Sequence, residues 1–131
     1  MIAKTELKRI AAARLLDAEA LVNAQRLDGA VYLCGYAVEI ALKARICDTL
    51  NWADFPESSN EFQGLLSFKT HDFNTLLRLS GVEDRIKMSY LAEWSILKLW
   101  KPELRHAKTG TASHSTALLM VSAVKTILGI L

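Results

Sequence analysis

Tyr32, Tyr36, Glu39 and Lys43 follow one another at spacings of four, three and four residues. With 3.6 residues per turn, that spacing puts all four on one face of a helix. The surrounding stretch, GAVYLCGYAVEIALKARIC at residues 29–47, is otherwise almost wholly apolar. A carboxylate and an ammonium cost free energy in such a setting unless they are paired or meet a partner or ligand. Glu39 and Lys43 stand in the i,i+4 order that favours an intrahelical ion pair, worth ~0.2–0.5 kcal/mol when exposed. Two environments are open for the stripe: a polar network in a bundle interior or subunit interface, and a ligand or RNA site. Tyr32 and Tyr36 read as core or interface aromatics whose hydroxyls find a partner.

A second cluster lies downstream. Lys98, Lys101, Arg105 and Lys108 fall within eleven residues, opposed by Glu103 alone, with His106 among them. Such a basic stretch can hold phosphate, nucleotide or RNA backbone; the plainer alternative is a solvated loop. His71 precedes Asp72 at a helix start and reads as a capping or packing residue. Trp52, Trp94 and Trp100 do not alternate with basic residues as a base-stacking platform would, so packing is their expected role. His71, His106 and His114 do not stand at metal-ligand spacings with the cysteines. The chain has no glycine-rich phosphate loop, no C-x-x-C, no H-E-x-x-H and no G-x-S-x-G elbow. Neither a metal nor a cofactor is expected.

The elements that position these groups are helices. The chain has 131 residues, 51% of them hydrophobic, with only six Gly and two Pro. That length suits a single domain, residues 1–131, with a real core, and the composition favours helix over disorder. Net charge is +2, too small to signal nucleic acid by itself. Cys34 and Cys47 lie thirteen residues apart on one predicted helix, roughly 20 Å at 1.5 Å per residue, too far for a disulfide. Two buried thiols suit a reducing cytoplasm. The charged, amphipathic start MIAKTELKRIAAARLL is unlike a signal peptide. The apolar tail Ala117–Leu131 falls short of the ~20 residues that span a bilayer, so no membrane is expected and the tail reads as a core helix.

Five helices emerge from the periodicity. The first covers about Thr5–Gln25, with Leu7, Ile10, Ala11, Leu15, Ala18, Leu21 and Val22 facing the core. Asp28 and Gly29 allow a reversal into the second, about Asp28–Leu50. Residues 51–60 read as a loop, followed by a helical turn at Glu61–Leu66. Thr70 or Asp72 caps a third helix that ends at Gly81. A fourth spans about Val82–Leu99, with a break near Lys87–Ser89, and stops before Pro102. A polar loop at Lys101–Ala112 leads to Ser113, which caps the last helix. No strand alternation appears. The fold class is all-α, an antiparallel up-and-down bundle of four to five helices. The second helix is apolar nearly all round, so it should be central or shared with a second subunit; a homodimer is expected.

Three segments, LDGAVYLCGYAVEIALKARIC, THDFNTLLRLSG and WKPELRH, together resemble the HEPN family, the higher eukaryotes and prokaryotes nucleotide-binding domain. Its members look like A-x-x-L-x-x-x-x-R-x-D-x-A-x-Y-L-x-G-Y-A-V-E-x-A-L-K-A, then K-x-H-D-L-x-x-L-L, then W-x-P-E-x-R-Y. The match runs in order from Ala13 to about His106. The resemblance implies a dimeric four- or five-helix bundle in a prokaryotic cytoplasm, often paired with a minimal nucleotidyltransferase as a toxin–antitoxin or regulatory system. It also implies that Glu39 and Arg105 belong to one site. Tyr36 and Lys43 of the stripe and Lys101 and Lys108 of the basic run are the expected ligand-binding groups there.

Many such relatives are metal-independent ribonucleases carrying R-x(4–6)-H. From Arg105, that histidine would stand at 110, 111 or 112, where this chain has Gly110, Thr111 and Ala112. His106 is adjacent to Arg105, and His114 follows after eight intervening residues. Two expectations follow. One is a non-catalytic, regulatory HEPN module that binds a nucleotidyltransferase and nucleotide or RNA. The other is a variant ribonuclease using Arg105 with His106 or His114 and helped by Glu39: the histidine would exchange the 2′-hydroxyl proton and the arginine would hold the phosphate.

Overall fold

The computed structural model describes residues 1–131. Six helices form the fold: α1 (Lys4–Asn23), α2 (Leu27–Leu50), α3 (Phe73–Ser80), α4 (Glu83–Ser89), α5 (Leu91–Leu97) and α6 (His114–Ile130). Single 3₁₀ turns stand at Leu66–Phe68 and Pro102–His106. The chain is thus an all-α bundle.

Helix α2 is the central element. It touches α1, α3 and α6, and half of its 24 residues are buried. These partners all come from the same chain, so α2 is central to the bundle, as its apolar composition implies. The expected core face of α1 forms, with Leu7, Ala11, Ala18 and Val22 buried and Ile10, Leu15 and Leu21 partly so. Reversal from α1 to α2 occurs earlier than Asp28–Gly29: Gln25 takes the left-handed conformation at φ 59°, and Gly29 lies inside α2. Asn51 closes α2 in the same conformation, a role its short amide tolerates.

Helix α3 is capped as its sequence requires. The Asp72 carboxylate accepts from the Thr75 N–H at 2.9 Å, and Gly81 ends the helix at φ 77°. Ser113 likewise accepts from the Thr116 N–H at 3.1 Å to open α6. The expected fourth helix is divided at Tyr90, a position later than Lys87–Ser89. Ile86 of α4 and Trp94 of α5 are both fully buried.

Two short elements depart from the sequence reading. Ile2–Ala3 (β1) pairs antiparallel with Asp54–Phe55 (β2), with Ile2 opposite Phe55. Two-residue strands are too short to show alternation. The helical turn expected at Glu61–Leu66 forms later, at Leu66–Phe68. Phe55 and Phe62 close the core at this end, in an edge-on pair at 6.1 Å. Both cysteines are buried and free. Burial pushes the Cys34 thiol up to about 12. No helix is long and apolar enough to cross a membrane.

Candidate functional site

Glu39 is the one charged residue buried in the core, 2% exposed. Its Oε1 accepts two hydrogen bonds, from Lys43 Nζ at 2.7 Å and from His71 Nδ1 at 2.7 Å. The first comes from one turn further along α2. The second comes from the residue before the α3 cap, 32 positions away in the chain. A carboxylate accepts only, so the nitrogen facing it carries the proton. Nε2 of His71 is then the free nitrogen of the ring. This is the arrangement by which a carboxylate fixes the tautomer and orientation of an acid–base histidine. The imidazole itself is 66% exposed.

His71 is therefore not a cap, as expected from sequence; Asp72 does the capping. The imidazole stands at the rim of two clefts. The first has a volume of about 430 Å³ and is lined by Lys98, Lys101 and Arg105 together with the carboxylates of Asp72 and Glu103. The second, of about 310 Å³, is lined by Tyr36, Lys43, Lys69 and Thr70 as well as His71. Tyr36 is half-buried, and burial followed by the Glu39 charge raises its phenol above the usual range. Neither tyrosine hydroxyl of the stripe makes a hydrogen bond within the chain; Tyr32 packs on Trp100 instead, ring centres 6.0 Å apart.

The wall of the first cleft is held from behind by Trp100. Its ring stacks on Phe73 at 5.0 Å and 6°, and its Nε1 donates to the Tyr32 carbonyl at 3.1 Å. The indole lies across Gly35 of α2, where a Cβ would fall deep inside its Cγ, Cδ1 and Cδ2 atoms. So α2 supplies both the buried carboxylate and the notch that seats the basic segment. Pro102 starts the 3₁₀ turn that carries Arg105, in place of the open loop expected from Lys101.

The other expected site residues separate. His106 is exposed, and its Nε2 accepts from Arg105 Nε at 3.2 Å. His114 opens α6 and does not line the cleft that holds Arg105. Lys108 also stands outside that cleft. Between them, the backbone N–H groups of Gly110 and Ala112 donate to Asp28 at 2.7 and 2.9 Å. These bonds hold the Asp28 carboxyl below its usual range, the Ala112 contact first. They tie the loop to the start of α2. Thus Glu39, Tyr36, Lys43, Lys101 and Arg105 gather around His71, and His106, His114 and Lys108 do not complete that group. The signal that points to His71 is its place in T-H-D beside a lone carboxylate in an apolar helix.

No group of three His, Cys, Asp or Glu side chains converges as a metal site would require. Chemically, the site offers an oriented imidazole, a set of cations and two clefts. Compared with family models, curated proteins and solved structures, the chain matches none of them.

Proposed function

We propose that this protein is a HEPN-like helical module that binds a phosphate-bearing ligand, nucleotide or RNA, in the cleft walled by Lys98, Lys101 and Arg105. It acts in the cytoplasm as a homodimer and pairs with a minimal nucleotidyltransferase in a toxin–antitoxin-like system. The observation that carries the ligand reading is the convergence of three cations and His71 on one cleft, backed by a buried carboxylate that fixes the imidazole. Three cations of one segment, facing a histidine from another, suit a phosphate group, which rewards several charge-assisted donors at once. The pairing with a nucleotidyltransferase rests on the three-segment resemblance.

Fluorescence anisotropy with labelled single-stranded RNA and with nucleotides tests the ligand. Binding should weaken about tenfold or more in the Lys101→Glu, Arg105→Glu variant. It should also fall as salt rises, with a log–log slope near −0.7 per phosphate neutralised on a single strand. Equal binding by the variant sinks the assignment of the cleft. Light scattering at micromolar concentration tests the dimer, and co-purification from the native host tests the partner.

A second reading, a metal-independent endoribonuclease with a variant Arg–His pair, gains support from one observation: Arg105 shares its cleft with a carboxylate-anchored histidine.

A further inference from the structure

We infer that His71, oriented by Glu39, is the catalytic proton acceptor of an RNA strand-cleaving site, and that the strand runs across it from one cleft to the other. The inference rests on the ribonuclease reading and replaces both His106 and His114 as its histidine. Three observations carry it. First, His71 Nδ1 is bound to a carboxylate that is 3% exposed and is itself held by Lys43, so the ring is fixed and Nε2 is the free acid–base nitrogen. Second, His71 lines both clefts, so they meet at the imidazole. Third, cations outnumber carboxylates in each cleft: Lys98, Lys101 and Arg105 against Asp72 and Glu103 in one, and Lys43, bonded to Glu39, and Lys69 against Glu57 in the other. A mononucleotide needs only one of these pockets. A polynucleotide places one phosphate in each and a ribose over the ring between them.

The chemistry that fits is transesterification. Nε2 of His71 takes the proton from a ribose 2′-hydroxyl as the 2′-oxygen forms a bond to the adjacent 3′-phosphorus. The bond from that phosphorus to the 5′-oxygen of the next nucleotide breaks. Water protonates the departing 5′-oxygen, and the proton on His71 returns to solvent. A 2′,3′-cyclic phosphate and a 5′-hydroxyl remain, with no change in oxidation state. Arg105 and Lys98 face the charge that builds on the phosphoryl oxygens. Glu39 is a positioning residue: it touches the histidine and not the strand.

Short random-sequence single-stranded RNA, with DNA of the same length as control, tests this on the intact protein. The native protein should cleave RNA to 2′,3′-cyclic ends and bind the DNA without cutting it. His71→Ala should cut at least about 100-fold more slowly, with RNA affinity changed less than about threefold and circular dichroism unchanged. Added imidazole should restore part of that loss, since the vacated site is open to solvent. His71→Gln, which keeps a side-chain donor in place, should be as slow as His71→Ala. Glu39→Gln should lower kcat and leave KM unaltered, whereas His106→Ala and His114→Ala should retain cleavage. RNA binding without cleavage by the native protein overturns this inference and leaves the ligand-binding proposal standing. Failure to bind RNA overturns this inference, and failure to bind both RNA and nucleotide overturns the ligand-binding proposal as well; cleavage that depends on His106 or His114 overturns this inference alone.

Discussion

Gly35→Ala probes the contact on which the cleft depends. The new methyl would overlap Cγ, Cδ1 and Cδ2 of Trp100, and the indole is 5% exposed, so moving it away from α2 disturbs a packed ring and the cleft it lines. If the ring only shifts, overpacking costs about 1–3 kcal/mol. A shift also strains its hydrogen bond to the Tyr32 carbonyl, about 1 kcal/mol, and its stack on Phe73, about 0.5–1.5 kcal/mol. Full expulsion would forfeit burial of about 150–250 Å², or about 4–6 kcal/mol. Alanine returns up to about 1 kcal/mol in the helix. The expected net loss is about 2–5 kcal/mol, read by urea unfolding followed through tryptophan fluorescence. In a Trp100→Leu background the same substitution should lie between neutral and about 1 kcal/mol stabilising, because the clashing ring is gone and the helix propensity of alanine remains; the difference is the coupling between the two sites. Stability within about 0.5 kcal/mol of the native protein for the single variant would refute the close approach. The same variant should weaken RNA binding, since Trp100 and Phe73 also line the cleft of Arg105.

Lys43→Met keeps most of the side chain but removes one of the two donors to a buried carboxylate; a loss of about 1.5–3 kcal/mol is expected in denaturant unfolding. Asp28, Asp48 and Asp72 all have carboxyls held below their usual range, chiefly by the Ala112 amide, by Lys8 and by the Thr75 hydroxyl respectively. Their contribution is complete above the ordinary carboxylate range and is lost as pH falls through the lowered native values, so stability measured from pH 5 down to pH 2 should decline steadily; a flat profile contradicts it. Asp28→Asn should speed hydrogen exchange at the Gly110 and Ala112 amides, since a carboxamide offers one acceptor oxygen where the carboxylate offers two. Cys34, fully buried with its thiol near 12, should resist alkylation at pH 8 in the native protein and react once urea unfolds it.

Much of the architecture was legible because it is local. The periodicity of α1, the Asp72 and Ser113 caps and the Gly81 stop each depend on residues within a few positions, so composition and spacing reveal them. The break in the fourth helix is legible to within one residue, whereas the β1–β2 pair is not, since it joins segments some fifty residues apart. The same divide runs through the site. The stripe of Tyr36, Glu39 and Lys43 follows from helical spacing alone, and the basic run at Lys98–Arg105 is visible as charge.

What the sequence determined by itself is an apolar helix bearing one carboxylate, a basic segment, and three histidines without an arrangement. Tertiary structure decided which histidine meets the carboxylate. It selected His71 because α3 docks on α2 with the residue before its cap directly over Glu39, a contact spanning 32 positions. It set His106 and His114 apart by holding the intervening loop on Asp28. A buried carboxylate must find donors, but the chain alone does not say which; the packing of helices around Gly35 and Trp100 does.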